Sequence, residues 1–157
     1  QHFDQLKRSL AEAPFVDDAL ELVEKIYSKE YLDIGSLARA SMLEMARYFG
    51  IDDKINFVDV ESMDVQGSSS ERVLAVVKTM QASVYITGHG AARYLNHELF
   101  EKEGVEVRYI DYQMKPYPQL YGEFTPYVSG LDLVANCGRD GIQFIQSNTT
   151  TWRNFVK

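Results

Sequence analysis

Apolar residues recur at helical spacing through the first third of the chain. In "QHFDQLKRSLAEA", Phe3, Leu6 and Leu10 share one face, which predicts a helix over 2–13 that Pro14 ends. "FVDDALELVEKIYSK" predicts a second helix. Asp17 or Asp18 can accept bonds from its free amides, and Leu20, Val23, Ile26 and Tyr27 form its stripe. A third helix starts near Asp33, turns Leu37, Met45, Tyr48 and Phe49 inward, and ends at Gly50. The period then shortens. "INFVDV", 55–60, reads as a strand, and "SSSERVLAVVKTMQ" as a helix with Ser68 and Glu71 at capping-box spacing. "SVYIT" is a second strand, 91–103 a helix ending at Gly104, and "VEVRYIDY", 105–112, a third strand. "QMKPYPQLYGEFTPY" comes next as an ordered surface loop rich in proline and tyrosine. "SGLDLVANCG" is a short helix between Ser129 and Gly138, whereas "SNTTTWRNFVK" has no clear pattern.

Strand, helix, strand, helix, strand in the middle of the chain implies parallel strands joined by right-handed crossovers. The expected fold is therefore α/β and Rossmann-like. It has three layers: a short parallel sheet of about three strands flanked by helices, preceded by an N-terminal helical segment. Residues 1–50 form that segment and pack on an α/β core of 51–157, making one domain overall. Three strands are few for a parallel sheet that needs cover on both faces. With Gln1 rather than Met at the start, the chain is expected to be an incomplete part of a longer or processed protein.

Composition narrows the partners. A net charge of −7 over 157 residues argues against a nucleic-acid backbone but leaves room for a local cationic pocket. No apolar run is long enough to cross a bilayer, and no signal peptide is evident, so membrane insertion is not expected and a cytoplasmic location is. Cys137 is the one cysteine, so an internal disulfide is impossible, and its apolar setting suggests a buried, inert thiol. One cysteine with scattered His2, His89 and His97 suggests no metal site. No cofactor is identified, and a homo-oligomer is left open.

Ligands of parallel α/β sheets bind beyond the carboxyl ends of the strands. Three loops qualify: "ESMDVQGSSS", "GHGAAR" and "QMKPYPQLYGEF". In the first, Ser70 and the amides of a helix start suit an anion, and Arg72 lies one turn in; the plain alternative is that the serines cap the helix. In the second, Gly88 and Gly90 permit close backbone approach and positive φ, and Arg93 can grip a phosphate or carboxylate. This is not the dinucleotide fingerprint, because Arg93 stands where a third glycine belongs. His89 is a candidate acid or base, or a turn residue without a role. In the third loop, Tyr117 and Gln119 can hold a sugar or amide, or pack the proline loop down. Asp132, inside an apolar helix, needs a partner or exposure, and is the second catalytic candidate.

The ordered series "SERVLAVVKTMQASVYITGHGAARYL" and "LFEKEGVEVRYIDYQMKPYPQLYGEFTPYVSGLDLVANCG", residues 69–138 or so, resembles the WbqC-like protein family. The resemblance rests on the Ser-Glu-Arg helix start, the strand ending in Gly, the Tyr-Pro-Gln loop and the Leu-Asp-Leu helix with Asn-x-Gly. It implies a bacterial protein of surface-polysaccharide (O-antigen) or related metabolite biosynthesis, with acyl or aminoacyl transfer to an activated sugar. The substrate would then be a small molecule such as a nucleotide sugar. It carries over to Ser70, Glu71, Arg72, Gly88, Gly90, Arg93, Tyr94, Tyr117, Gln119 and Asp132. The family's opening strand and Gln-Pro-x-x-x-Pro stretch have no counterpart here; if they supply half of the site, this chain alone is inactive. The competing expectation is a non-catalytic module that docks a partner or nucleotide through loop 113–127. A nucleotidyl-transferase-like domain would need a phosphate-binding histidine pair near the first strand, which the sequence lacks.

Overall fold

The computed structural model describes residues 2–156. In chain order the helices are α1 (His2–Ser9), α2 (Val16–Tyr27), α3 (Ile34–Tyr48), α4 (Ser69–Thr79), α5 (His97–Lys102), α6 (Gly130–Cys137) and α7 (Trp152–Phe155). The strands are β1 (Val84–Thr87), β2 (Glu106–Asp111) and β3 (Asn148–Thr151). They form one small mixed sheet, and the chain has an α/β fold. It divides into two compact units: residues up to Phe57 with Met114–Gln146, and Val58–Gln113 with the residues from Ser147.

The first unit is helical. Leu10, Ala13, Ala19, Leu22, Tyr48, Val134 and Ala135 form its buried core. On α2 the buried positions are Ala19, Leu22 and Val23, rotated from the stripe expected of the larger side chains, and Tyr27 is 56% exposed. No side chain caps α2; Asp18 instead accepts a bond from the Tyr48 hydroxyl at 2.6 Å. The Phe15 amide donates to the Ala135 carbonyl at 2.9 Å, which ties the entry of α2 to α6. Asp33 and Ser36 form a capping box at the start of α3. At its end Gly50 takes φ +62°, and the Ile51 amide reaches back to the Ala46 carbonyl.

The second unit holds the sheet, ordered β1-β2-β3. β1 and β2 are parallel, with Val84 opposite Glu106 and Thr87 opposite Tyr109. β3 is antiparallel to β2, with Arg108 opposite Thr151. Two expectations are corrected here. Residues 55–60 form no strand: Ile55, Phe57 and Val58 are at least 40% exposed, so this apolar run finds no partner strand to satisfy its backbone. The third strand comes instead from the threonine-rich tail, whose β-branched side chains suit a pleated surface. The sheet is thus mixed rather than wholly parallel. The single helix expected over 91–103 is also split. A 3₁₀ turn covers His89–Arg93, and α5 begins afresh after Asn96, whose side chain accepts from the Leu99 amide at 3.2 Å.

One face of the sheet carries the core. Phe100, Val107 and Tyr109 are fully buried, and Leu74, Val77, Leu95 and Val105 pack with them as buried residues. Each such aliphatic or aromatic side chain contributes about 1.5–3 kcal/mol by leaving water. The opposite face keeps Val84, Ile86 and Ile110 between 37% and 52% exposed.

Gly138 ends α6 with φ +56° and ψ −146°, a conformation close to glycine-only territory. A Cβ there would sit 2.7 Å from the Phe15 ring. Gly138→Ala is expected to cost roughly 1–3 kcal/mol from the backbone, plus displacement of Phe15. Urea denaturation measures it, and an unchanged midpoint would mean that the ring yields freely.

Candidate functional site

β1 and β2 run parallel, so their carboxyl ends lie on the same edge of the sheet in the second unit. Three chain segments gather there. β1 leads through Gly88 into the His89–Arg93 turn. Ser70 fastens the start of α4 to the loop after β1. Its buried hydroxyl donates to the Tyr94 carbonyl at 3.4 Å and accepts from the Asn96 amide at 2.9 Å. At the exit of β2, the Ile110 carbonyl lies 2.7 Å from Nε2 of His89. A carbonyl only accepts, so Nε2 carries the proton, and in the neutral ring Nδ1 is left as an acceptor. The Phe155 ring lies 4.6 Å from the imidazole and supports it.

Ser70 thus ties α4 to this loop, and Ser68 places no side-chain bond on the start of α4. The expected capping box with Glu71 does not form, which leaves that helix start without a side-chain cap. Ser69, not a glycine, takes positive φ there, at +50°. Gly88 and Gly90 both avoid the left-handed region, so the positive φ that they permit is not used. A Cβ at either would meet nothing within 4 Å, so the backbone there is open to approach. Arg72 and Arg93 are exposed, and neither has a carboxylate within ion-pair distance among the described residues.

Tyr117, Gln119 and Asp132 belong to the first unit, and they bond to one another. The Tyr117 hydroxyl donates to Asp132 Oδ2 at 2.7 Å, and Gln119 Nε2 donates to the same oxygen at 3.2 Å. Gln119 also accepts from the Thr125 amide at 2.9 Å and donates to the Thr125 carbonyl at 3.0 Å, standing in for a strand partner. Phe124 and Phe144 lie against the Tyr117 ring. Burial first, and then the Asp132 bond, push the Tyr117 hydroxyl up to about 12. The network closes the proline loop on the first turn of α6, answering the question of how a carboxylate survives in "LDLV". Cys137 is buried, and that burial raises its thiol pKa, so the inert reading of this residue fits.

Sequence reasoning gave no role to His97, Tyr109 or Trp152, yet they organise the second unit. His97 is 8% exposed, with Nε2 2.7 Å from the Tyr109 hydroxyl. Trp152 stacks on the imidazole at 4.6 Å and donates to Glu101 at 2.8 Å, while the Arg153 guanidinium lies over the indole. Phe155 stacks on Tyr109 at 4.3 Å. These partners lie far apart in the chain and leave no spacing signal. Among the described residues no three His, Cys, Asp or Glu side chains gather as a metal site. No helix among them is long and apolar enough to cross a membrane.

An α/β protein with polar loops gathered at the carboxyl ends of two parallel strands is the class this geometry defines. The chain belongs to the WbqC-like protein family, whose pattern matches residues 1–144. It is similar to the uncharacterised protein Rv1507c of Mycobacterium tuberculosis, with 26% identity over 148 residues. That match covers 92% of this chain but 63% of the relative, so the chain spans less than two thirds of the length of the curated relative it matches. No solved structure matches the chain.

Two outcomes are expected of the second unit. Ser70→Ala removes both bonds between α4 and the loop after β1 and strands the Asn96 amide. It is expected to cost about 1–3 kcal/mol, read as a lower urea midpoint. The second outcome is a pH dependence. Burial lowers the pKa of His97, and nearby Glu101 opposes this more weakly. The folded value thus lies below the unfolded value of about 6.5. Between the two the unfolded chain binds more protons, so stability is complete above the unfolded value and declines as pH falls through that window. A series of urea midpoints across the window checks this; His97→Gln should flatten the slope, and a slope unchanged in that variant would refute it.

Proposed function

We propose that this WbqC-like chain works in a bacterial transferase of surface-polysaccharide or related metabolite biosynthesis, moving an acyl or aminoacyl group onto an amine of an activated sugar. The single observation that carries the reading is the gathering at the β1 exit. Arg72 and Arg93 are unpaired cations on segments joined through Ser70, beside a histidine whose Nε2–H is already held by Ile110. In this reading Arg93, with Arg72, grips the phosphates of the activated sugar, helped by the amides of the α4 start and of the Gly88–Gly90 turn. His89 Nδ1 takes the proton that the sugar amine sheds as its nitrogen bonds to the acyl carbon. The leaving group departs with the electrons of the broken bond, and the imidazolium returns a proton to it. The Ile110 carbonyl stabilises that imidazolium by keeping its bond to Nε2–H. Asp132 holds the 117–125 loop of the first unit through Tyr117 and Gln119. The cytoplasm, where activated sugars are made, is the compartment this chemistry requires.

A second reading is favoured by one observation: Tyr121 and Tyr127, on the proline loop, are 65% and 87% exposed. Aromatic side chains so placed suit docking of a partner protein without catalysis. The two readings separate in one experiment. A ligand that prefers the native state raises its melting temperature. The transferase reading expects such a rise with nucleotide sugars. Arg93→Ala should leave the free protein's melting unchanged and weaken binding about tenfold to a hundredfold, the worth of about 1.5–3 kcal/mol for bonds to a charged group. A nucleotide sugar that binds Arg93→Ala as tightly as the parent chain would overturn it.

A further inference from the structure

In the first unit, α2, α3 and Arg139, just past α6, enclose an open cleft of about 390 Å3. Its charged lining is balanced: Asp18, Glu21 and Glu44 against Lys25, Arg47 and Arg139. Most of these groups answer one another along the helices. Glu21 holds Lys25 at 2.6 Å, and Glu44 holds Arg47 at 2.8 Å. Two do not. Arg139 lies over the Tyr48 ring, 5.1 Å from its centroid, and donates from Nη1 to the Tyr48 carbonyl at 2.8 Å. It has no carboxylate partner within ion-pair distance among the described residues. Asp18 spends Oδ2 on the Tyr48 hydroxyl at 2.6 Å and pairs with no cation among the described residues. One tyrosine thus positions an unanswered cation by its ring and backbone and an unanswered anion by its hydroxyl. The guanidinium retains further N–H donors in a fixed plane, suited to a two-pronged anion. Its stacking on the ring limits the ordering that binding would otherwise require.

We propose that this cleft is a binding site for a small zwitterion, whose carboxylate or phosphate pairs with Arg139 and whose ammonium pairs with Asp18. A simple anion would meet the carboxylates of Asp18, Glu21 and Glu44, and a simple amine would meet Arg139. Only a molecule with both charges satisfies the lining. The volume is that of a small-metabolite site. Free amino acids and amino-sugar phosphates share this chemistry, and they differ in the anionic end.

The test is titration calorimetry on the full chain with glycine, glutamate, glucosamine 6-phosphate, acetate, inorganic phosphate and ethylamine. The expected result is binding of at least one doubly charged probe, at least tenfold tighter than any singly charged one. Glucosamine 6-phosphate against the amino acids decides between the phosphate and carboxylate forms. Arg139→Gln should weaken that probe at least tenfold. Because Arg139 also bonds to the Tyr48 carbonyl, Asp18→Asn serves as a second variant. It keeps an acceptor for the Tyr48 hydroxyl while removing the charge, and should weaken the same probe comparably while the chain stays folded at the assay temperature. Arg93→Ala should leave this binding intact, which separates the cleft from the site at the β1 exit. No binding of any doubly charged probe, equal binding of acetate or phosphate, or indifference to Asp18→Asn would each overturn the proposal.

Discussion

A phenol hydroxyl with no access to water must find a partner inside the protein, and Tyr109 is the group around which the second unit satisfies that demand. It lies at the centre of the middle strand and is fully buried. An unanswered hydroxyl there would cost about 1–3 kcal/mol. The answer comes from His97, at the start of α5, and His97 must in turn be shielded, which Trp152 does by stacking on it. Phe155 covers Tyr109 itself. One buried polar atom therefore fixes how α5, the middle strand and the C-terminal α7 meet. The antiparallel β3 is drawn into the sheet as the segment that delivers Trp152 and Phe155.

The same logic repeats at smaller scale. A single buried serine hydroxyl joins α4 to the loop after β1, and a single carboxylate at the start of α6 closes the proline loop. In each case a polar side chain that would be costly if buried alone becomes a fastener because its partners arrive from other segments. Polar satisfaction, more than the size of either apolar core, decides where the loops of each unit lie. The Arg72 and Arg93 side chains stand outside these closed networks and remain exposed.

Helices were the most legible part of the sequence. The helix start near Asp33, the terminators Gly50 and Gly138, and the apolar spacing of α4 are local signals, and they placed those elements closely. β1 and β2 were legible for the same reason. "INFVDV" misled because composition alone measures willingness to be a strand, not the presence of a neighbour to pair with. The opposite error hid β3: "NTTT" is polar, but its β-branched threonines pair readily once β2 offers an edge. The placement of His89 and Arg93 together in the turn after β1 was legible, because both sit in one local loop motif. The sequence was unreadable where roles depend on distant contacts. Asp132 and Gln119 read equally well as ligand holders or loop fasteners until their bonds were seen, and Arg139 gave no signal at all, because its significance depends on the Tyr48 ring beneath it.

The outer face of the sheet has a bearing on how this protein behaves when warmed. β1 is an edge strand of four residues with no charge and no proline, and Val84 and Ile86 on it face outward. Shortness is one device that protects that edge. A β1 edge opened by heat would offer "SVYIT" as a template for pairing with other molecules. Any association of opened molecules at this edge would grow with protein concentration, unlike unfolding itself, which involves one chain at a time.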